Sequence, residues 1–403
     1  MDRLEAVVQP YDWGSRYVIA ELQGRQTPSP GPEAELWVGA HPAAPALLER
    51  EEGLTTLHRV ITADAPGELG PRCQERFGDR LPFLLKILAV EKALSIQVHP
   101  TREQAAEGYA REEAAGIALR DATRNYKDDW PKPEILMALT AFEALAGFRP
   151  AQESARLLAL LEVPELDEVV QLLRDGGQDG RDGRLEALTR LLHWPDAQRQ
   201  QLTADVEWRC GELVDGEGLD AEDHATFAAG VRIARQYPRD MGLVCALLLQ
   251  HVTLQPGEAV YLAAGGLHCY LQGTGVELLA NSDNVVRAGL TSKHIDVDEL
   301  LRLLDPAVEV PRLQPVPVAP GVMRYETPAP EFELDRCLVD GECVVPGDGG
   351  PRLLLCLAGD LVLVDDDGEE LHLSRGDTAY AGAADGGLRL CGRGDVVVGS
   401  MGA

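Results

Sequence analysis

The hydrophobic period of this 403-residue chain changes twice, and those changes limit what it can fold into. Up to about residue 148, apolar residues come in short alternating or continuous runs such as LWVGA at 36–40 and LPFLLKILAV at 81–90. Pro and Gly clusters separate the runs, as expected of strands. From Pro150 to about Leu249 the spacing is helical, in ARLLALL, LDEVVQLL, RLEALTRLLH and ATFAAGVRIARQ, with DGGQDGRDG as an interruption. Strand signals resume at His251, and the end of the chain reads as all-β through LLLCLAGDLVLV, the turn DDDGEE and LHLSRGDTAY. A block of helical period does not join a sheet, so the chain reads as mainly β with an α insertion.

Smaller signals refine this reading. Thr101 and Gln104 have capping-box spacing ahead of an Ala- and Glu-rich helix extending to about residue 120. Strand character returns at 133–148, PAVEVPRLQPVPVAPG at 306–321 reads as an extended Pro-rich connector, and GTG at 273–275 reads as a turn. A hydrophobic content of 45% over this length supports large cores and two or three domains. The 37 basic residues against 66 acidic ones give a net charge of −29 with no basic stripe, which excludes nucleic acid and anionic membranes as expected partners. Eight cysteines form no CxxC pair, the start MDRLEAVVQPYDWGS has no apolar signal run, and the stretches 83–90 and 241–249 are too short to span a membrane. A cytoplasmic setting is therefore expected.

The segment LSIQVHP at 94–100 carries the chemistry. Alternation sets Leu94, Ile96 and Val98 on one side of a strand and Ser95, Gln97 and His99 on the other. PKPE at 131–134 adds Lys132 and Glu134, and GGLHCY at 265–270 adds His268. Two imidazoles, one carboxylate and one amide oxygen suit a catalytic divalent metal such as zinc. From spacing alone, a His or Gln on a strand is more often a hydrogen-bonded side chain, and the bland reading stays open. Glu103 competes with Glu134 as the carboxylate, but it falls in the first turn of the helix capped by Thr101, where the helix dipole already favours an acid. His41 reads as a turn cap, and Tyr270 as either core or site.

Gly257, five residues, Ala263, Ala264, Gly265, two residues and His268 resemble the second cupin motif, with Ala263 in place of its proline. Gly376 and Gly382 repeat the opening of that motif without a following histidine. The expected fold is two cupin-type jelly-roll β-sandwich domains plus a helical domain, the second jelly roll degenerate and metal-free. The boundaries are a catalytic cupin domain at 1–150 and 251–310, a helical insertion at 151–250, and a C-terminal cupin domain at 321–403.

YDWGS at 11–15, AELWVGAHP at 34–42, LPFLLKIL at 81–88, LSIQVHP at 94–100, KPE at 132–134, LHCY at 267–270 and GVELLANSDNVVRAGLT at 275–291 together resemble type I phosphomannose isomerases, in the same order. The resemblance implies one Zn2+ per chain held by Gln97, His99, Glu134 and His268, with Arg287 as the catalytic arginine. It also implies interconversion of mannose 6-phosphate and fructose 6-phosphate through an enediolate, so the expected partner is a small sugar phosphate. Lys132 and Glu277 join Arg287 as catalytic candidates, while Lys86, Ser95, Trp13 and Asp283 are candidates for binding substrate. Only five lysines occur, at 86, 92, 127, 132 and 293. Many family members carry Asn-His before Lys-Pro-Glu where this chain has Trp130 and Pro131, which puts the ring-opening group in question. A monomer is expected. The alternatives are an isomerase of another sugar phosphate on the same scaffold, or a non-catalytic sugar-binding cupin.

Overall fold

In the computed structural model, which describes residues 1–50, 53–176, 182–347 and 349–403, one 13-residue strand, His268–Ala280, organises the larger of two large antiparallel sheets, beside which stands a two-stranded pair, Leu47–Arg50 with Gly53–Thr56. Its first residues pair with Phe142–Phe148 and Ile96–Val98, and its later residues run between Phe83–Val90 and Glu134–Ala138. Glu35–Val38 and Val7–Gln9 extend the sheet beyond Phe83–Val90; Ala259–Leu262 and Arg312–Leu313 extend it beyond Glu134–Ala138. All eight residues of Phe83–Val90 are buried. Phe83, Leu85, Ile87 and Ala89 enter one apolar cluster, while Leu88 and Val90 enter another on the opposite face. Lys86 lies on that second face, and a buried ammonium must find anionic partners there.

The second sheet orders Asp2–Leu4, Thr378–Ala381, Arg352–Asp365, Leu388–Ser400, Glu333–Val344, Val322–Tyr325 and Val316–Ala319, with Glu370–Ser374 paired to Arg352–Asp365. The first residues of the chain thus complete a sheet otherwise built from residues after 315. The two sheets share one core: Leu36, Leu85, Ile87 and Leu278 of the first meet Tyr325, Leu353, Leu355, Tyr380 and Val397 of the second. The approach is close enough that a Cβ at Gly399 would lie 2.9 Å from Leu278 Cδ1.

Helices occupy the stretch from Ala151 to Ala246, as the periodicity predicts. Their apolar faces join Ile96, Val98, Val286 and Ala288 in a single cluster. Each such aliphatic side chain contributes about 1.5–3 kcal/mol by burial. That packing fixes the rotation of strand Ile96–Val98, so Gln97 faces away from the helices.

The capping box forms as read: Thr101 Oγ1 accepts from the Gln104 amide and Gln104 Oε1 accepts from the Thr101 amide, opening helix Arg102–Ala114. Three expectations change. The β-rich first hundred residues also contain helices Leu57–Ala63 and Ala65–Phe77, because Thr56 and Asp64 cap them and Gly70, at φ 75°, absorbs a kink that reads in sequence as a breaker. GTG lies inside strand His268–Ala280 rather than in a turn; a Cβ at Gly273 would meet Phe142 at 2.7 Å. The Pro-rich connector is extended as expected but is also paired, through Arg312–Leu313 and Val316–Ala319. Within DGGQDGRDG, residues 177–181 lie outside the described residues; Gly176 closes one helix in the left-handed region and Asp182 caps the next.

Because the sheets share a core, they should unfold as one unit. Leu278→Ala is expected to cost about 2–5 kcal/mol, read by urea denaturation, and to lower the stability of both sheets together. Separate transitions for the two sheets would contradict the shared core.

Candidate functional site

Sheet register brings the site residues together. Glu134 opens its strand opposite Leu262 and Leu279; Gln97 sits between His268 on one side and Arg287 on the other; Lys86 lies opposite both Glu277 and Trp37. His99, Glu134 and His268, each 1% exposed, form a compact group in which one potential ligand atom from each lies within 4.8 Å of the others. Glu134 Oε1 is 3.4 Å from His99 Nε2, and Glu134 Oε2 is 3.6 Å from His268 Nε2. The Gln97 amide reaches within 3.2 Å of His268 Nε2, so rotation of its terminal group can offer oxygen to the same point.

The electrostatics of this group favour a cation. Burial, then the charge of Lys132, pushes the His99 imidazole down; burial, then His99, pushes His268 down to about 4. Both rings are therefore neutral at physiological pH. Their Nδ1 atoms face the carbonyl oxygens of Asn284 at 2.7 Å and Gly266 at 3.0 Å, which only accept, so each Nδ1 carries the proton and each Nε2 keeps a lone pair. Burial works against a charged Glu134, but its surroundings, the ammonium of Lys132 foremost, outweigh it and hold the carboxyl well below its ordinary range. His99 Nε2 and Glu134 Oε2 are buried without hydrogen-bond partners. Two neutral nitrogens, an ionised carboxylate and an adjacent amide form a donor set that fits zinc.

Gln97 and Glu134 of this set border a cavity of about 1280 Å³. Trp13, Lys86, Ser95, Gln97, Lys132, Glu134, Glu277, Asp283 and Arg287 all line it. Lys132 Nζ is 2.7 Å from Glu134 Oε1. Lys86 Nζ lies 3.3 Å from both Glu35 Oε2 and Glu277 Oε2; burial opposes its charge, yet Glu35, Glu277 and Glu134 hold its pKa above the ordinary value. Burial and then Glu134 push the Glu277 carboxyl up to about 7. Glu277 therefore faces Lys86 rather than orienting Arg287. Arg287 makes no hydrogen bond or ion pair among the described residues, and burial lowers its pKa. All five lysines of this strongly acidic chain line this one cavity. That concentration of ammonium groups, with Arg287 free, suits a small anion.

Several wall residues carry no clear sequence signal. Glu35 accepts from the Trp37 indole N–H and faces Lys86; a carboxylate inside the otherwise apolar strand Glu35–Val38 is the available clue. His41 does cap a turn, accepting from the Ala43 amide at 3.2 Å, but its Nε2 also stands 3.3 Å from Asp283 Oδ2 in the cavity. From the helical region, Gln236 accepts the Ala93 amide at 2.9 Å and Tyr237 donates to the Ala93 carbonyl at 2.6 Å, so both reach the wall beside Ser95. Tyr270 lines the cavity and packs edge-on against Phe142. Trp130 belongs to the core: Phe77 packs against it and Arg80 stacks on it at 3.9 Å. Glu103 is exposed on its helix, outside the metal-binding group.

Comparison with known proteins follows the same lines. Residues 1–151 match the family model described as phosphomannose isomerase type I, catalytic domain. The chain is 36% identical over 405 residues to the mannose-6-phosphate isomerase of Escherichia coli (strain K12), covering 98% of each, and 33% identical over 408 residues to that of Rattus norvegicus, covering 94% of this chain and 93% of the other. It also matches the crystal structure of the mannose 6-phosphate isomerase from Salmonella typhimurium bound to substrate and zinc, with a TM-score of 0.87, 33% identity and 100% coverage of both chains.

Loss of either imidazole should release the metal. His99→Ala and His268→Ala are expected to weaken divalent-metal binding by more than the roughly 10- to 100-fold produced by outer-shell changes, with the circular dichroism of the fold retained. Glu103→Ala should keep its metal. Full occupancy in either histidine variant, measured by elemental analysis, would reject the assignment.

Proposed function

The chain belongs to the type I phosphomannose isomerase family, and from that premise we propose how its cavity performs the family's reaction. It is a zinc-dependent mannose-6-phosphate isomerase, an aldose–ketose isomerase interconverting mannose 6-phosphate and fructose 6-phosphate. In our reading Gln97, His99, Glu134 and His268 hold one zinc ion; the two orphaned buried atoms, His99 Nε2 and Glu134 Oε2, support this most directly. When bound, zinc supplies positive charge that favours the oxyanion of an enediolate.

The protein's own groups carry the other steps. Glu277, held near neutrality and braced by Lys86, takes the proton from one carbinol carbon and returns it to the neighbouring carbon. Lys132, beside Glu134, donates to the sugar oxygens as charge develops. Arg287, opposite Gln97 in register, adds a planar cation next to the reacting carbons. Ser95, Lys127 and Lys293 lie along the same cavity and serve the phosphate end, while Trp13 and Asp283 border the sugar. With Pro131 at the position of the family's usual histidine and Trp130 in the core, ring opening falls to Asp283, which His41 holds in place.

The two sheets read as cupin-type jelly rolls, formed by 1–150 with 251–310 and by 321–403, and 151–250 reads as an insertion in the first. The separate large sheet of each part and the missing histidine of the second support that division. We read the enzyme as a cytoplasmic monomer whose partner is a small sugar phosphate. Its eight free thiols fit a reducing compartment, and no helix among the described residues is long and apolar enough to cross a membrane.

Arg287→Ala should retain zinc and bind substrate while kcat falls by about two or more orders of magnitude, the scale of losing one oxyanion-stabilising donor. Arg287→Lys should recover only part of that loss, since a point charge lacks the planar fork. Mannose without its phosphate should show a far lower kcat/KM than mannose 6-phosphate. Comparable values for the two sugars would sink the phosphate assignment. In deuterated water, NMR should find label beside the carbonyl if proton transfer passes through an enediolate.

A further inference from the structure

We infer that Asn284, braced by Asp128, is a positioning residue for the metal ligand His99. The inference rests on the zinc site proposed above. Asn284 is fully buried, and all its polar groups are engaged. Its carbonyl oxygen accepts from His99 Nδ1 at 2.7 Å. Its side-chain oxygen accepts from the Lys127 amide at 2.7 Å and the Asp128 amide at 3.3 Å, and its side-chain nitrogen donates to the carbonyls of Asp128 at 2.8 Å and Trp130 at 2.9 Å. Asp128 returns the contact: its carboxylate accepts from Ser282 Oγ at 2.7 Å, from the Asp283 amide at 2.9 Å and from the Trp130 amide at 3.0 Å.

One amide side chain thus stitches residues 127–130 to residues 282–284. The first segment runs into Lys132 and Glu134, and the second into Arg287. The stitch therefore sets the spacing between His99 and Glu134, because the carbonyl that orients the imidazole and the strand that delivers the carboxylate are joined through Asn284. It also fixes the tautomer. A carbonyl cannot donate, so His99 must carry its proton on Nδ1 and present Nε2 to the metal. A ligand left free to rotate or to exchange tautomers would bind metal more weakly, and outer-shell partners of this kind contribute about 10- to 100-fold in affinity.

The test uses the full chain stripped of metal and titrated with zinc against a chromophoric chelator. Asn284→Ala should raise the zinc Kd by about 10- to 100-fold, and kcat should recover towards wild type as zinc is raised to saturation. Recovery by zinc separates a positioning role from general damage, which zinc would not repair. Asp128→Asn keeps the side-chain shape but turns one acceptor into a donor, and should weaken zinc in the same direction. If neither variant folds, NMR of 15N-histidine-labelled wild-type apoprotein decides, because His99 must then show the Nδ1–H tautomer. An Nε2–H tautomer, or a folded variant with an unchanged zinc Kd, would overturn the inference. Wild-type protein that binds no zinc would overturn the site reading itself, and this inference with it.

Discussion

A carboxylate sealed from water stays ionised only where positive charge or a metal faces it, and Glu134 is the residue around which this molecule is arranged. The sheet holds its backbone on both sides, against Leu262 and Leu279, so the side chain has little freedom to escape. Lys132 comes from the segment leading into its own strand, His268 from the long central strand, and His99 from the segment packed on the helices. Removing one partner from such a buried group costs about 3–5 kcal/mol, because a charge is left uncompensated. The same logic repeats one layer away, where Lys86 is held between Glu35 and Glu277. The site is a stack of buried charges that stabilise one another only in this register.

Much of this is legible in the residues. The alternation in LSIQVHP places Gln97 and His99 on one face, and the ordered motifs bring Glu134, His268 and Arg287 beside them. Period changes locate the helical block to within a few residues. What escapes is tertiary. The helices at 57–77 hide behind Pro66, Gly70 and Pro71, whose breaking signals are absorbed by caps and a kink. Glu35 and His41 look like ordinary members of a strand and a turn, and nothing local says that one faces Lys86 and the other Asp283. The engagement of Gln236 and Tyr237 with Ala93 joins residues far apart in the chain, a distance that periodicity cannot bridge.

That last contact changes how the helical region is understood. Its apolar side anchors Ile96 and Val98, and its polar edge captures both backbone groups of Ala93. The strand bearing Gln97 is short, only Ile96–Val98, and a strand of that length cannot hold its rotation by pairing alone. The helices supply the missing constraint from behind, while Val286–Gly289 supplies it from the side.

The gathering of all five lysines in one cavity has a practical side. Outside that cavity the chain presents its side-chain cations as guanidinium groups, and its terminal amine is tied to Asp385 at 2.9 Å. Reagents that acylate or alkylate primary amines therefore find their lysine targets only where the sugar enters. Coupling the protein to a solid support, a dye or a crosslinker through lysine would join it by its own mouth. Surface carboxylates and the partly exposed thiol of Cys391 are the handles that leave the entrance open.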